Sequence, residues 1–306
     1  MSYRVKLILA FAAIYLIWGS TFFGVQLALK SFPPFLLSAL RLLIAGAALT
    51  LYCIITRQAA PALKDVGKHA VAGLVIFIGG VVFVVWAQQF VSSSLASSVI
   101  TTPFWFILLD RPQWKFYFSS KWIVGGLLLS LVGVIVLMSF KQGGRAGSAS
   151  EAMQTIAILI MIAGSFMWVA GSLYLKYRPS KTSVYVNTAV QLLSAGMFCV
   201  VVSYVTGDVN KFSMENMLPE AVISLLYLAI ISSLITFLAF QWLIRVQPPA
   251  IVSTYSYVNP LIATLLGWLF ANEHISFAQI IALIIILTGV LFVNIPRYWG
   301  TSSTRV

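Results

Sequence analysis

The chain repeats one pattern along its length. Trp18, Ala39, Leu42, Leu43, Ala45 and Gly46 recur 150 positions later as Trp168, Ala189, Leu192, Leu193, Ala195 and Gly196. Thr101-Thr102-Pro103 returns as Val258-Asn259-Pro260, and Gly133-Val134 as Gly289-Val290, at offsets of 157 and 156. Nearly constant offsets along the whole chain mean two equivalent halves. Internal duplication of an apolar chain is the mark of many secondary transporters.

Of the 306 residues, 60% are hydrophobic and only 8% are charged. A water-soluble domain of that composition has too little polar surface to cover itself. Ten apolar runs approach the length of about 20 residues that a bilayer-crossing helix needs: 7–29, 35–56, 70–90, 94–109, 122–140, 154–174, 184–206, 221–244, 250–271 and 276–296. The runs are continuous rather than alternating, so the expected fold is an all-α membrane protein and not a lipid-facing barrel. Five spans per half is an odd number. The second half then starts from the opposite side of the membrane, which predicts two inverted five-helix repeats. The expected units are 1–141 and 154–306, joined by a polar linker at 142–153.

The net charge of +12 is read as topology. With the N-terminus in the cytoplasm, 14 of the 19 Lys and Arg fall in cytoplasmic segments and four, Lys30, Lys141, Arg145 and Lys211, outside; Arg41 lies within a span. That asymmetry predicts a multi-pass inner (plasma) membrane protein with both termini cytoplasmic. The expected partners are the lipid bilayer and a small-molecule solute, and no nucleic acid. Arg4 and Lys6 ahead of an apolar stretch imitate a signal peptide, but Trp18 belongs to the repeat and the stretch is read as the first span. Cys53 and Cys199 sit in apolar runs and read as small buried hydrophobes.

Candidate functional residues follow from polar groups at membrane depth. Pro103 and Pro260 occupy matching positions in the fourth and ninth spans. A proline inside a helix lacks an N–H and displaces the carbonyl four residues earlier, so both are expected to kink their helices, with the freed carbonyl facing a water-filled cavity or satisfied by neighbouring hydroxyls in the packing. Thr102 lies beside the first kink, Tyr257 and Asn259 beside the second. Gln88 and Gln241 are a matched pair at an offset of 153. They read either as interhelical hydrogen-bonding groups or as cavity-lining amides, while Gln191 reads as helix glue. Trp18 and Trp168, the third matched pair, lie within spans rather than at the interfaces where tryptophan usually concentrates, and read either as pore-lining or as packing residues. The expected substrate-binding set is therefore Trp18, Gln88, Thr102, Trp168, Gln241, Tyr257 and Asn259. Arg41 has two readings: a side chain reaching out to the surface, or a seat for an anionic group.

The seven carboxylates fall in loops or at span ends, so none is expected at the midplane. That argues against a carboxylate proton relay or an organic-cation site. His69 and His274 are expected at opposite faces as solvated helix-end residues. No metal site, cofactor or enzymatic motif is expected.

Trp18-Gly19-Ser20-Thr21, the Pro33-Pro34 entry to the second span, Arg41-Leu42-Leu43, and the run from Tyr255 to Gly267 followed by Glu273 resemble EamA-type transporters of the drug/metabolite transporter superfamily. The resemblance covers essentially the whole chain. It implies helices one to four and six to nine around a central cavity, with helices five and ten peripheral, as a monomer or homodimer. It implies export or exchange of small metabolites, often amino acids. It assigns Asn259 and Pro260 to the cavity-facing kink and Glu273 a structural place at the end of the ninth helix. Where some relatives carry an acidic residue, this chain has Gln88, a departure from the family pattern that argues further against proton coupling and cationic substrates. The alternatives are a channel, a lipid flippase and a non-transporting scaffold.

Overall fold

The computed structural model describes residues 2–100, 102–139, 150–271 and 276–299. Thr101, Glu273, His274 and most of the linker lie outside these. Twelve helices carry the description: α1 (Tyr3–Ala28), α2 (Pro34–Ile55), α3 (Leu63–Ala87), α4 (Ser93–Val99), α5 (Thr102–Leu109), α6 (Trp114–Ser119), α7 (Lys121–Ser139), α8 (Glu151–Tyr177), α9 (Val184–Val205), α10 (Pro219–Val246), α11 (Tyr255–Ala271) and α12 (Phe277–Trp299). There is no strand among the described residues. By length and composition α1, α2, α3, α8, α9 and α10 can each cross a membrane, and a seventh span arises if Arg111–Ser119 and Lys121–Val136, bent by 97°, are taken together.

Helix starts follow local chemistry. Pro34 opens α2 and Pro219 opens α10, where a missing N–H costs nothing because the first turn has no intrahelical acceptor for it. Ser150 caps α8 by accepting from the Met153 N–H at 3.3 Å. Pro103 shows the same rule at work and corrects the kink expected there. The chain breaks at Ile100 in an extended conformation, and Pro103 then sits in the first turn of α5. It begins a helix and does not bend one. Pro260, in contrast, lies inside the unbroken α11; the break in that half comes earlier, between the short turn Pro249–Val252 and Tyr255.

The two halves meet through reciprocal contacts. A methyl group added at Gly46 on α2 would stand 2.8 Å from Leu193 Cδ2 on α9, and one added at Gly196 would stand 2.8 Å from Leu43 Cδ2. Gly46 matches Gly196 and Leu43 matches Leu193 in the sequence repeat, so each half presents the other with the same contact. A two-fold interface has this property. The α7 and α12 pair repeats the arrangement. A Cβ at Gly133 would lie 3.1 Å from the Ala282 carbonyl, and one at Gly289 would lie 2.5 Å from that of the matching Gly126. In lipid, small residues let helix backbones approach this closely and gain packing where no hydrophobic force drives association. The outer faces of this pair, including Val132, Ile135 and Ile284, are exposed.

Candidate functional site

Three stretches of wide helical turn, with hydrogen bonds spanning five residues, frame the centre of the molecule: Ala13–Ile17, Ile78–Val82 and Tyr227–Thr236. Such turns swell the helix and change which side chains face inward, and they occur often at functional sites. The first stands directly before Trp18. The second contains Gly79 and Gly80, and the face of Trp168 lies so close to Gly80 that no side chain fits there. The third carries Ser232 and Ser233. The second and third border one cavity, and the first leads into Trp18 on its wall.

That cavity is lined by residues of both halves, among them Trp18, Phe22, Arg41, Gln88, Thr102, Trp168, Ser232, Ser233, Tyr255 and Asn259. Its volume of about 80 Å³ compares with the roughly 10–15 Å³ that one water requires on the same measure. Several waters, or the polar end of a small solute, fit in it.

The walls are aromatic. The ring centroids of Trp18 and Trp168 are 5.4 Å apart at 82°, and Trp18 also packs against Tyr255 at 4.7 Å. Edge-to-face pairs of this kind are the favoured geometry of aromatic quadrupoles. Trp18 donates its indole N–H to the Ser232 carbonyl at 3.4 Å. Gln88 donates through Nε2 to the Phe22 carbonyl at 2.8 Å, which leaves its own carbonyl oxygen enclosed without a hydrogen-bond partner, as is the side-chain oxygen of Asn259. The Tyr255 hydroxyl lies close to the Thr102 hydroxyl and the Trp168 N–H, yet neither group forms a hydrogen bond of good geometry. Buried polar groups are normally satisfied. Here several unmet ones converge on a single space, which suits a ligand carrying both donors and acceptors.

Five of the seven expected residues, Trp18, Gln88, Thr102, Trp168 and Asn259, come together on this cavity. Two do not. Tyr257 packs in a separate cluster with α7 and α12 residues, its hydroxyl 3.4 Å from the Leu127 carbonyl. The cause is helical phase. Successive residues turn about 100°, so Tyr255 and Asn259, four apart, share the cavity face of α11, while Tyr257 lies on the opposite side. Gln241 lines a smaller cavity with His69, Asn187, Thr188 and Gln191. It donates to Gln191 Oε1 at 3.1 Å, and Gln191 Nε2 meets His69 Nδ1 at 3.1 Å. Of the matched pairs, Trp18 and Trp168 touch, while Gln88 and Gln241 fall in different cavities.

Other expectations are corrected by burial. His69 is enclosed at 3% exposure, not solvated. Asp110 ends α5 as expected of a loop-side carboxylate, but it is fully buried and accepts hydrogen bonds from the hydroxyls of Tyr117, at 2.5 Å, and Tyr177. Arg41 does not reach the surface. It is 5% exposed and bonded to Ser233 Oγ at 2.6 Å and Ser232 Oγ at 3.0 Å. Reading the sequence alone misses Tyr255, Gly79-Gly80 and Ser232-Ser233 as lining positions. The only sequence signals for the last two pairs are glycines and serines doubled in mid-span.

Comparison with known proteins adds to this geometry. The EamA-like transporter family model matches residues 5–139 and again 155–295. The chain is 31% identical over 294 residues to "Uncharacterized inner membrane transporter YedA" of Escherichia coli (strain K12), across 94% of this chain and 90% of that protein. It is 25% identical over 281 residues to "Uncharacterized transporter YdfC" of Bacillus subtilis (strain 168), across 90% of this chain and 87% of that one. It is also similar to "Protein PecM" of Dickeya dadantii (strain 3937), at 25% over 297 residues, across 91% and 89%. One solved structure, described as a crystal structure of a protein, shares the fold at a TM-score of 0.72 and 19% identity, across 98% of this chain and 100% of that chain.

Proposed function

This chain belongs to the EamA-like transporter family, and from that premise we propose that it is a secondary transporter moving small metabolites such as amino acids, outward or in exchange, by alternating access. The observation that carries the reading is the cavity between the two halves, with the buried Gln88 and Asn259 oxygens left without partners. A solute's donors complete those bonds, and the Trp18 and Trp168 rings cover its apolar part. Trp18, Gln88, Thr102, Trp168, Tyr255 and Asn259 form the proposed binding set.

The proposed architecture has ten transmembrane helices as two inverted repeats, with α4 and α5 together forming one interrupted span. It lies in the inner membrane, as the description of YedA suggests, with both termini cytoplasmic. The reciprocal Gly46–Leu193 and Gly196–Leu43 contacts support two-fold related halves. In this topology the large cavity sits between the midplane and the external end of the bundle. The smaller Gln241 cavity is its counterpart on the cytoplasmic side: Val25, Arg41 and Gln88 of the first correspond to Leu175, Gln191 and Gln241 of the second. One counterpart is roomy and the other nearly filled, the asymmetry expected of one state in an alternating pair.

Asn259→Ala is the direct test. It removes an enclosed acceptor with no internal partner, so stability holds while solute exchange falls by about tenfold, the loss of one hydrogen bond at about 1 kcal/mol or somewhat more. Flux in proteoliposomes, with membrane level checked in parallel, reads the effect. Unchanged flux in this variant removes Asn259 from the binding set.

A further inference from the structure

A positive charge is enclosed in the cavity wall with no ion pair among the described residues. Arg41, two turns into α2, lies 5% exposed against the cavity. Its Nε and Nη2 donate to two neutral hydroxyls, Ser233 and Ser232. Nη1 makes no hydrogen bond among the described residues. The ion pairs among the described residues are Lys30 with Glu220 and Lys211 with Asp208, and neither involves Arg41. Buried charges are ordinarily paired, because an uncompensated ion in a low-dielectric interior is strongly unfavourable.

The position itself does not demand a cation. Its match in the second half is Gln191, a neutral amide in the smaller cavity, where Gln191, Gln241 and His69 bond to one another. The corresponding groups in the large cavity do not close on themselves. Arg41 keeps a free N–H face, and the Gln88 carbonyl oxygen has no partner. The smaller cavity has unmet groups of its own, His69 Nε2 and Thr188 Oγ1, and Lys176 and Arg245 border it, but at the position that matches Arg41 it holds a neutral amide bonded to its neighbours.

We propose that Arg41 is the seat for the carboxylate of the transported solute, held in place by the Ser232 and Ser233 hydroxyls. This assignment rests on the transporter reading and narrows its substrate class to compounds bearing a carboxylate. The planar guanidinium matches a carboxylate's two oxygens. The enclosed Gln88 and Asn259 oxygens accept from donors elsewhere on the same molecule, and the tryptophan faces cover its apolar portion.

The test measures binding without transport. Full-length protein in detergent is titrated with acetate, benzoate, phenylacetate and 3-phenylpropanoate, with the neutral amide of each, and with chloride, by intrinsic tryptophan fluorescence and thermal shift. At least one carboxylate should bind about 10- to 100-fold more tightly than its own amide, the scale of a charge-assisted hydrogen bond. Arg41→Gln should erase that preference and Arg41→Lys should retain part of it. Ligand-free Arg41→Gln should melt at or above the wild-type temperature, since it removes an unbalanced charge; a packing role predicts a lower melting temperature. Equal binding of acid and amide, no carboxylate binding at all, chloride competing as well as the best carboxylate, or an acid preference that survives in Arg41→Gln overturns the proposal. Transport failure alone leaves these outcomes intact and counts against the transporter reading instead.

Discussion

Gly46→Leu and Gly196→Leu are each expected to destabilise the protein by about 1–3 kcal/mol, the usual range for overpacking, and by nearly equal amounts. Each new side chain meets a leucine Cδ2 at 2.8 Å and the backbone nitrogen of that same leucine at 3.1 Å. The side chain can rotate away but the backbone cannot, so the α2–α9 pair has to separate. Separation costs more than one contact, because these helices pack extensively against each other. Leu193→Ala should partly rescue Gly46→Leu, and Leu43→Ala should partly rescue Gly196→Leu. Thermal unfolding in a mild detergent reads both. Equal losses with crosswise rescue support two-fold related halves. A large loss at one glycine with tolerance at the other contradicts them.

Asp110→Ala is expected to cost about 3 kcal/mol or more. Asp110 is fully buried and accepts from two tyrosine hydroxyls, and Tyr117 in turn accepts from the Ala250 N–H at 3.3 Å. One carboxylate thereby ties the end of α5 to α6, to the end of α8 and to the turn before α11. Hydrogen bonds to a charged group contribute about 1.5–3 kcal/mol each, and the deletion strands a buried donor. Tyr117→Phe should cost more than Tyr177→Phe, since Tyr117 is wholly enclosed while Tyr177 is 42% exposed and finds water. Melting temperatures of the three variants give the order. An Asp110→Ala protein as stable as wild type refutes the idea that this cluster fastens the bundle.

The helical character, the membrane class and the family were legible in the sequence because each rests on many residues acting together. Apolar runs and matched landmarks survive local error. Side-chain direction does not. Tyr255 and Tyr257 both stand near Pro260, and proximity along the chain says nothing about which face of α11 meets the cavity. Gln241 matches Gln88 in the repeat, but a matched offset does not put two side chains in one cavity, and these two line different ones. The wide turns at Ile78–Val82 and Tyr227–Thr236 break the 3.6-residue period on which face assignments depend, so Gly79-Gly80 and Ser232-Ser233 had no readable phase. Pro103 has the residue type of a kink but the position of a helix start, and only the extended Ile100 backbone tells these apart. For Arg41, the sequence left surface and cavity open, and the third dimension puts the guanidinium between two serines.

Counterflow tests the central claim most directly. Proteoliposomes are preloaded with a pool of amino acids and small carboxylates at equal pH on both sides, and uptake of a labelled trace is followed. Alternating access predicts saturable, transient accumulation of the label above its external concentration, driven only by exit of the unlabelled pool. Label that merely equilibrates, or uptake that never saturates, indicates a channel and contradicts the account.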